Sequence, residues 1–419
     1  MKNLKNLLSI VALLFSVAVL PFVIASCDDD EAPAELTLST LTAGAIDLNG
    51  ATSPTNVPAD AAITATFSTD FDAASVNESN VTLTRDYDDA VMDVDLTTSG
   101  KTITITPAEP LGSGTLYILK FNTGLKSSGG KTLATAVERN FTTEGTFAPA
   151  GVIAHFTFED SAEDVVDGFD PAAADVVDVT YVDSRNAAAG KAASFNGTTS
   201  LVEIPNADDF LSHKDMTLSF WLKANSTKNG QFVFGLAAWY GFQFEIAGDW
   251  AWVKLALRYD QGDGTTDAED TWYPGNGETK DNGGWQGWTF NKDVTASGGV
   301  GDTYFKDKWA HVVITYNATS KINTMYINGE KVKEHDFNLW PNDSKKKNVV
   351  GVGFAGNATG NKLALGFIQG RENPIVTDGW ADYSVPENNH FKGEIDDFRV
   401  FSVPVTQTEV TLMYNSEKP

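Results

Sequence analysis

The stretch Phe391-Lys392-Gly393-Glu394-Ile395-Asp396-Asp397-Phe398-Arg399-Val400-Phe401 decides how the larger part of the chain folds. It contains no proline, and apolar residues recur between charged ones, the signature of a half-buried strand. The same pattern appears upstream at Gly151–Asp160, Ala192–Gly197, Leu201–Pro205, Met216–Lys223 and Trp309–Tyr316. Met325-Tyr326-Ile327-Asn328-Gly329-Glu330 adds an Asn-Gly pair directly after a strand, a strong hairpin signal. Strands in series separated by turn signals predict a β-sandwich. One short helix is expected after them, because Thr406-Gln407-Thr408-Glu409 ahead of Val410, Leu412 and Met413 reads as a capping box.

In this order the segments closely resemble the laminin-G-like, concanavalin A-like jelly-roll family, and Gly393–Arg399 matches its Gly-x-Ile-Asp-Asp/Glu-x-Arg segment. The resemblance covers about residues 150–419 and implies a jelly-roll sandwich. Lectins, adhesion modules and glycoside hydrolases share that sandwich, so function has to be read from sites.

Residues 36–147 read as a second all-β module. Ile63–Ser68 and Lys101–Thr106 alternate strictly between apolar and polar side chains, and further strands are expected at Asn80–Arg85, Leu116–Phe121 and Val137–Thr142. With Ser53–Pro58 leading into Ile63–Phe67, and Ile105-Thr106-Pro107 leading into Leu111–Tyr117, the module resembles the bacterial Ig-like family. It has no His, Trp or Cys and is expected to act as a spacer. The fold class is thus all-β: an Ig-like sandwich followed by a concanavalin A-like jelly roll.

The N-terminus reads as a targeting signal. Two lysines precede the apolar run Leu7–Ile24, which ends in Ala25-Ser26-Cys27. That ending resembles the bacterial lipobox, which implies removal of residues 1–26 and lipidation of Cys27, the only cysteine. Residues 27–35 form an acidic tether; Asp28-Asp29-Asp30-Glu31 resembles the surface-export signal of Bacteroidota-type lipoproteins, implying an outer-membrane protein displayed outside the cell, with the membrane contacted through the lipid anchor alone. The chain of 419 residues has 30 Lys+Arg against 56 Asp+Glu, a formal charge of −26. It lacks the basic surface that nucleic-acid phosphates require.

All ten Trp lie between Trp221 and Trp380. Trp239, Tyr240, Trp272, Tyr273, Trp285 and Trp288, interleaved with Gly, Asn and Asp, suit recognition of an extracellular glycan, since aromatic faces bury sugar CH surfaces while amides and carboxylates bond hydroxyls. Trp250 and Trp252, two apart, are expected on one strand face as core. Trp340, Trp380 and Tyr383 are candidates for the opposite rim. The family resemblance further implies a structural Ca²⁺ held by Asp160, Asp164 and Asp397. Catalysis is not expected at Glu394–Arg399, because Phe398 and Arg399 stand where jelly-roll glycanases carry a second glutamate. Two alternatives remain: a protein-binding adhesin or surface-complex subunit, and a glycan-active enzyme using Glu245, Asp249 or Glu278, which would need two carboxyls ~5–9 Å apart across a cleft.

Overall fold

The structure, a computed structural model, describes residues 34–50, 52–166, 168–225, 230–274, 279, 281 and 287–419. The expectations for Cys27, the targeting segment, the acidic run, Trp285 and Glu278 lie outside the described residues.

In the first domain, Ile46–Asp47, Leu38–Ala43, Ile63–Phe67, Thr102–Pro107 and Val94–Ser99 form one sheet in that order, and Val81–Arg85, Leu116–Phe121 and Val137–Thr142 form another. Alternation sets the faces. Ile63, Ala65, Phe67, Ile103 and Ile105 are buried between partly exposed threonines, and the register places Ile63 opposite Ile105 and Ala65 opposite Ile103. They pack with Leu83, Tyr117, Leu119, Phe121 and Phe141 into one core. Two strands have no clear period in the sequence. Leu38–Ala43 is bulged between Leu38 and Thr40, and Val94–Ser99 is an edge strand with no fully buried residue.

The second domain is a sandwich of two antiparallel sheets. One runs Val176–Val177, Leu201–Ile204, Leu363–Leu365, Gln231–Leu236, Phe242–Ile246, Val253–Asp260 and Thr266–Tyr273, with Gly351–Val352 paired beside Val253–Asp260. The other runs Thr180–Asp183, Lys191–Asn196, Lys392–Phe401, Met216–Ala224, Ala310–Asn317, Ile322–Ile327, Glu330–Asp336 and Trp288–Asn291. Val152–Phe156 pairs with the end of Lys392–Phe401, so the domain's first and last strands lie together. Asn328 and Gly329, at φ 54° and 80°, make the two-residue turn that the sequence signals. Phe220, Phe234, Phe244, Leu255, Ile314 and Phe398 are among the side chains that fill the space between the sheets.

The two outer faces are treated differently. The outer face of the nine-stranded sheet is covered by the helix Gln407–Glu417 and by the Ig-like module: Phe147 is buried against Val313, Tyr326, Phe401, Val410 and Met413, with Tyr87 edge-on at 5.4 Å. Part of the outer face of the eight-stranded sheet is covered by residues 366–391, whose Phe367, Ile368, Val376 and Ala381 pack on Leu201, Phe232 and Ala364. Gly235 permits this cover. A Cβ there would lie 2.0 Å from the Ile368 carbonyl oxygen. The rest of that face is left open.

Candidate functional site

The period-two geometry of the strands decides which side chains reach the open face. Phe242, Phe244, Leu255, Leu257 and Tyr273 point into the core, so Gln243, Glu245, Lys254, Ala256, Asp270 and Trp272 point outward. The register sets Glu245 opposite Lys254, Lys254 opposite Trp272, and Ala256 opposite Asp270.

At this face lies a groove of about 470 Å³, lined by Phe232, Glu245, Asp249, Trp252, Trp380 and Asn389 among others. That volume is within the range of small-ligand sites. Trp252 packs on Trp272 with ring centroids 4.4 Å apart. On the other wall Trp380, 39% exposed, stacks on Trp239 at 6.1 Å, and Trp239 stacks on Tyr240 at 5.9 Å. Aromatic surface thus borders the groove on both sides.

Glu245, which lines the groove, belongs to an internally paired polar cluster on the same sheet face. Lys254 Nζ lies 2.8 Å from Glu245 Oε1 and 3.7 Å from Asp270 Oδ2, and 5.1 Å from the Trp272 ring centre. Burial pushes the Glu245 carboxyl above the ordinary carboxylate range, while Lys254 pulls it back. Gln243 Nε2 donates to Glu245 Oε2 at 3.3 Å, and Gln243 Oε1 is buried without a partner.

The residues singled out in the sequence do not all come together. Trp239, Tyr240 and Trp272 border the open face. Tyr273 does not; the alternation that exposes Trp272 turns Tyr273 into the core, fully buried. Trp288 belongs to the edge of the other sheet, opposite His335, with the Lys333 ammonium 3.7 Å from its ring centre. Trp250 and Trp252 do not share a face. Trp250 sits in a turn at φ 64°, which breaks the two-residue period and buries it, whereas Trp252 comes out at the groove. Trp340 bonds His335 at 3.1 Å, and Tyr383 packs on Phe367; Trp380 alone of the three reaches the groove. Lys254, Asp270, Gln243 and Phe232 were not distinguishable in sequence, although Lys254 and Asp270 follow from strand parity once the register is known.

Asp160, Asp164 and Asp397 are not gathered around a cation. Asp397 accepts from His155 Nε2 at 2.8 Å, Arg399 at 2.9 Å and Arg185 at 2.6 Å, and these cationic partners hold its carboxyl well below the usual range. Asp164 accepts from the backbone of His155 and Val166, and Asp160 is exposed, 3.7 Å from Lys191. Among the described residues no three His, Cys, Asp or Glu side chains form a group that could hold a metal. Glu394 pairs with Lys223 at 2.7 Å, and Asp396 is held by Arg185 and Ser184, so this strand's carboxylates are engaged in structural pairs.

Residues 41–143 match the bacterial Ig-like domain family, and residues 196–369 match the concanavalin A-like lectin/glucanases superfamily. No curated protein matches the chain. Among solved structures it is similar to the binding domain of Paraclostridial Mosquitocidal Protein 1 (15% identity, 64% of this chain and 52% of that one, TM-score 0.40). It is also similar to the receptor-binding domain of botulinum neurotoxin type G (14%, 64% and 51%, TM-score 0.37). A third is domain 4 of an extracellular arabinanase from Geobacillus stearothermophilus, solved with arabinotriose (19%, 64% and 100%, TM-score 0.35). The chain spans about half the length of the toxin domains it matches. The chain carries a bacterial Ig-like domain followed by a concanavalin A-like jelly-roll domain.

Proposed function

We propose that this protein binds extracellular carbohydrate without cleaving it, in the groove between Trp252 and Trp380, and does so at the cell surface as a lipoprotein anchored through Cys27. The observation that carries the reading is a concave, aromatic-walled site with a hydrogen-bonding floor on a lectin/glucanase-type sandwich. Sugar CH faces would stack on the Trp rings and hydroxyls would bond Glu245, Asp270 and Asn389.

A non-catalytic role is favoured by Lys254. Its ammonium pairs with Glu245, a carboxylate that lines the groove, and with Asp270 next to it, so Glu245 is engaged in an ion pair instead of standing free as an acid or nucleophile. The domain arrangement supports display: the Ig-like module docks on the nine-stranded sheet, so the groove, on the opposite outer face, is directed away from it.

A glycan-array screen of the full chain, with and without Ca²⁺, tests this. Glycan binding that Trp252→Ala and Trp380→Ala abolish is the expected result. Capture of no glycan by a folded protein would overturn the reading, and turnover of a bound glycan would overturn its non-catalytic part.

A further inference from the structure

Carboxylates outnumber cations around the groove. Glu245 and Asp249 line it, Asp270 lies next to Glu245 across Lys254, and exposed Asp378 and Asp382 flank Trp380. The cation next to the lining residue Glu245 is Lys254, already held by Glu245 and Asp270 against the Trp272 ring. Arg258, next along that face, is turned aside: its guanidinium donates to the Trp239 carbonyl at 3.0 Å and to Thr266, and lies over the Tyr240 ring. The whole chain adds a charge of −26.

We infer that the groove takes uncharged glycan chains and rejects those bearing uronate, sialate or sulfate groups. This rests on the carbohydrate reading above and names the class of sugar. An anionic sugar would meet repulsion with no ammonium or guanidinium among the described groove-lining residues to compensate its lost hydration. An uncharged one meets neither cost. Its hydroxyls donate to the carboxylates of Glu245 and Asp249, which make strong charge-assisted acceptors. Its ring faces cover Trp252 and Trp380. The row Tyr240–Trp239–Trp380 continues the aromatic surface beyond the groove, which fits several linked sugars better than one.

The test is direct titration of the full chain at low and physiological salt. One panel is uncharged (a β-glucan, a mannan, an arabinan); the other is anionic (polygalacturonate, chondroitin sulfate, polysialic acid). At least one uncharged polymer should bind with an affinity that changes less than about twofold with salt, and the anionic polymers should bind at least about tenfold more weakly. An anionic polymer binding as tightly would overturn the selectivity while leaving the carbohydrate reading in place; binding of neither panel would remove both. A variant with Asp378→Asn and Asp382→Asn changes exposed side chains beside Trp380 that do not line the groove. Its anionic binding should rise about threefold or more, with uncharged binding unchanged. No rise would also overturn the inference.

Discussion

Trp250 and Trp252 show at the scale of single residues how a fixed spacing can give two opposite roles. The left-handed backbone at Trp250 rotates its ring into the core, so Trp250→Ala should cost about 3–5 kcal/mol and lower the melting temperature of the second domain. Trp252→Ala removes groove wall instead. It should weaken glycan binding by about 1–3 kcal/mol in titration calorimetry, with little change in melting. Lys254 is the third informative residue. Lys254→Met leaves the buried Glu245 without its cation and raises a carboxyl that burial has already raised. Because such a group favours the fold only when protonated, the loss of stability, about 1–3 kcal/mol at pH 7, should shrink toward pH 5. A melt of the variant showing no pH dependence beyond that of the parent would contradict this assignment.

At the scale of elements, the C-terminal helix closes the outer face of the nine-stranded sheet through one acidic side chain. Glu417 is buried and accepts from Trp221 Nε1 at 2.7 Å and Arg399 at 2.6 Å; Arg185, stacked over Trp221, donates to its carbonyl. The helix therefore ties together residues 185, 221 and 399. Glu417→Ala takes a buried carboxylate from Arg399 and the acceptor from Trp221 Nε1, and should cost about 3–5 kcal/mol. Thr406→Ala removes the capping box, in which Thr406 and Glu409 bond each other's backbone, and should cost about 1 kcal/mol. Chemical denaturation of both variants checks the ranking. Since Asp397 is saturated by Arg185, Arg399 and His155, addition of a chelator should leave the melting temperature unchanged.

For the whole molecule, buried histidines set the response to acid. His311, stacked on Trp221, and His335, stacked on Phe337, are held neutral down to about pH 3, chiefly by burial and further by nearby arginines and lysines. Unfolded histidine protonates near 6.5, so each contribution is complete above that pH and falls by up to about 1.4 kcal/mol per pH unit as pH drops toward 3. Asp396 acts oppositely. Burial and the charge of Asp397 raise it to about 7, so the fold binds a proton there that the unfolded chain does not hold between about pH 7 and 4. The lowered histidines outnumber the raised Asp396, so stability falls as pH falls between about 6 and 4. His335→Gln should flatten that slope in melts taken across this range; an unchanged slope would show that His335 is not held neutral. Acid thus reports on the second domain, since all five histidines lie there.

Alternating runs, the Asn328-Gly329 turn and the capping box specify their local structure with residues a few positions apart, and for that reason the all-β class, the two sandwiches and the terminal helix were legible in the sequence. The aromatic richness of the second domain was legible too. The assembly of the groove was not, because it joins positions 232, 245, 249, 252, 380 and 389, and their meeting depends on strand order, on register and on the cover that residues 366–391 lay over part of the face. Tyr273 and Trp252 went the other way from expectation for a related reason. A one-residue change of parity moves a side chain across the sheet, and composition carries no parity. The acidic residues 396 and 397 likewise acquire their partners from positions 155, 185 and 399. What the sequence by itself determined is which segments are strands and where apolar surface must be hidden. Only the tertiary structure decided which aromatic rings face a ligand, because exposure depends on packing between distant segments.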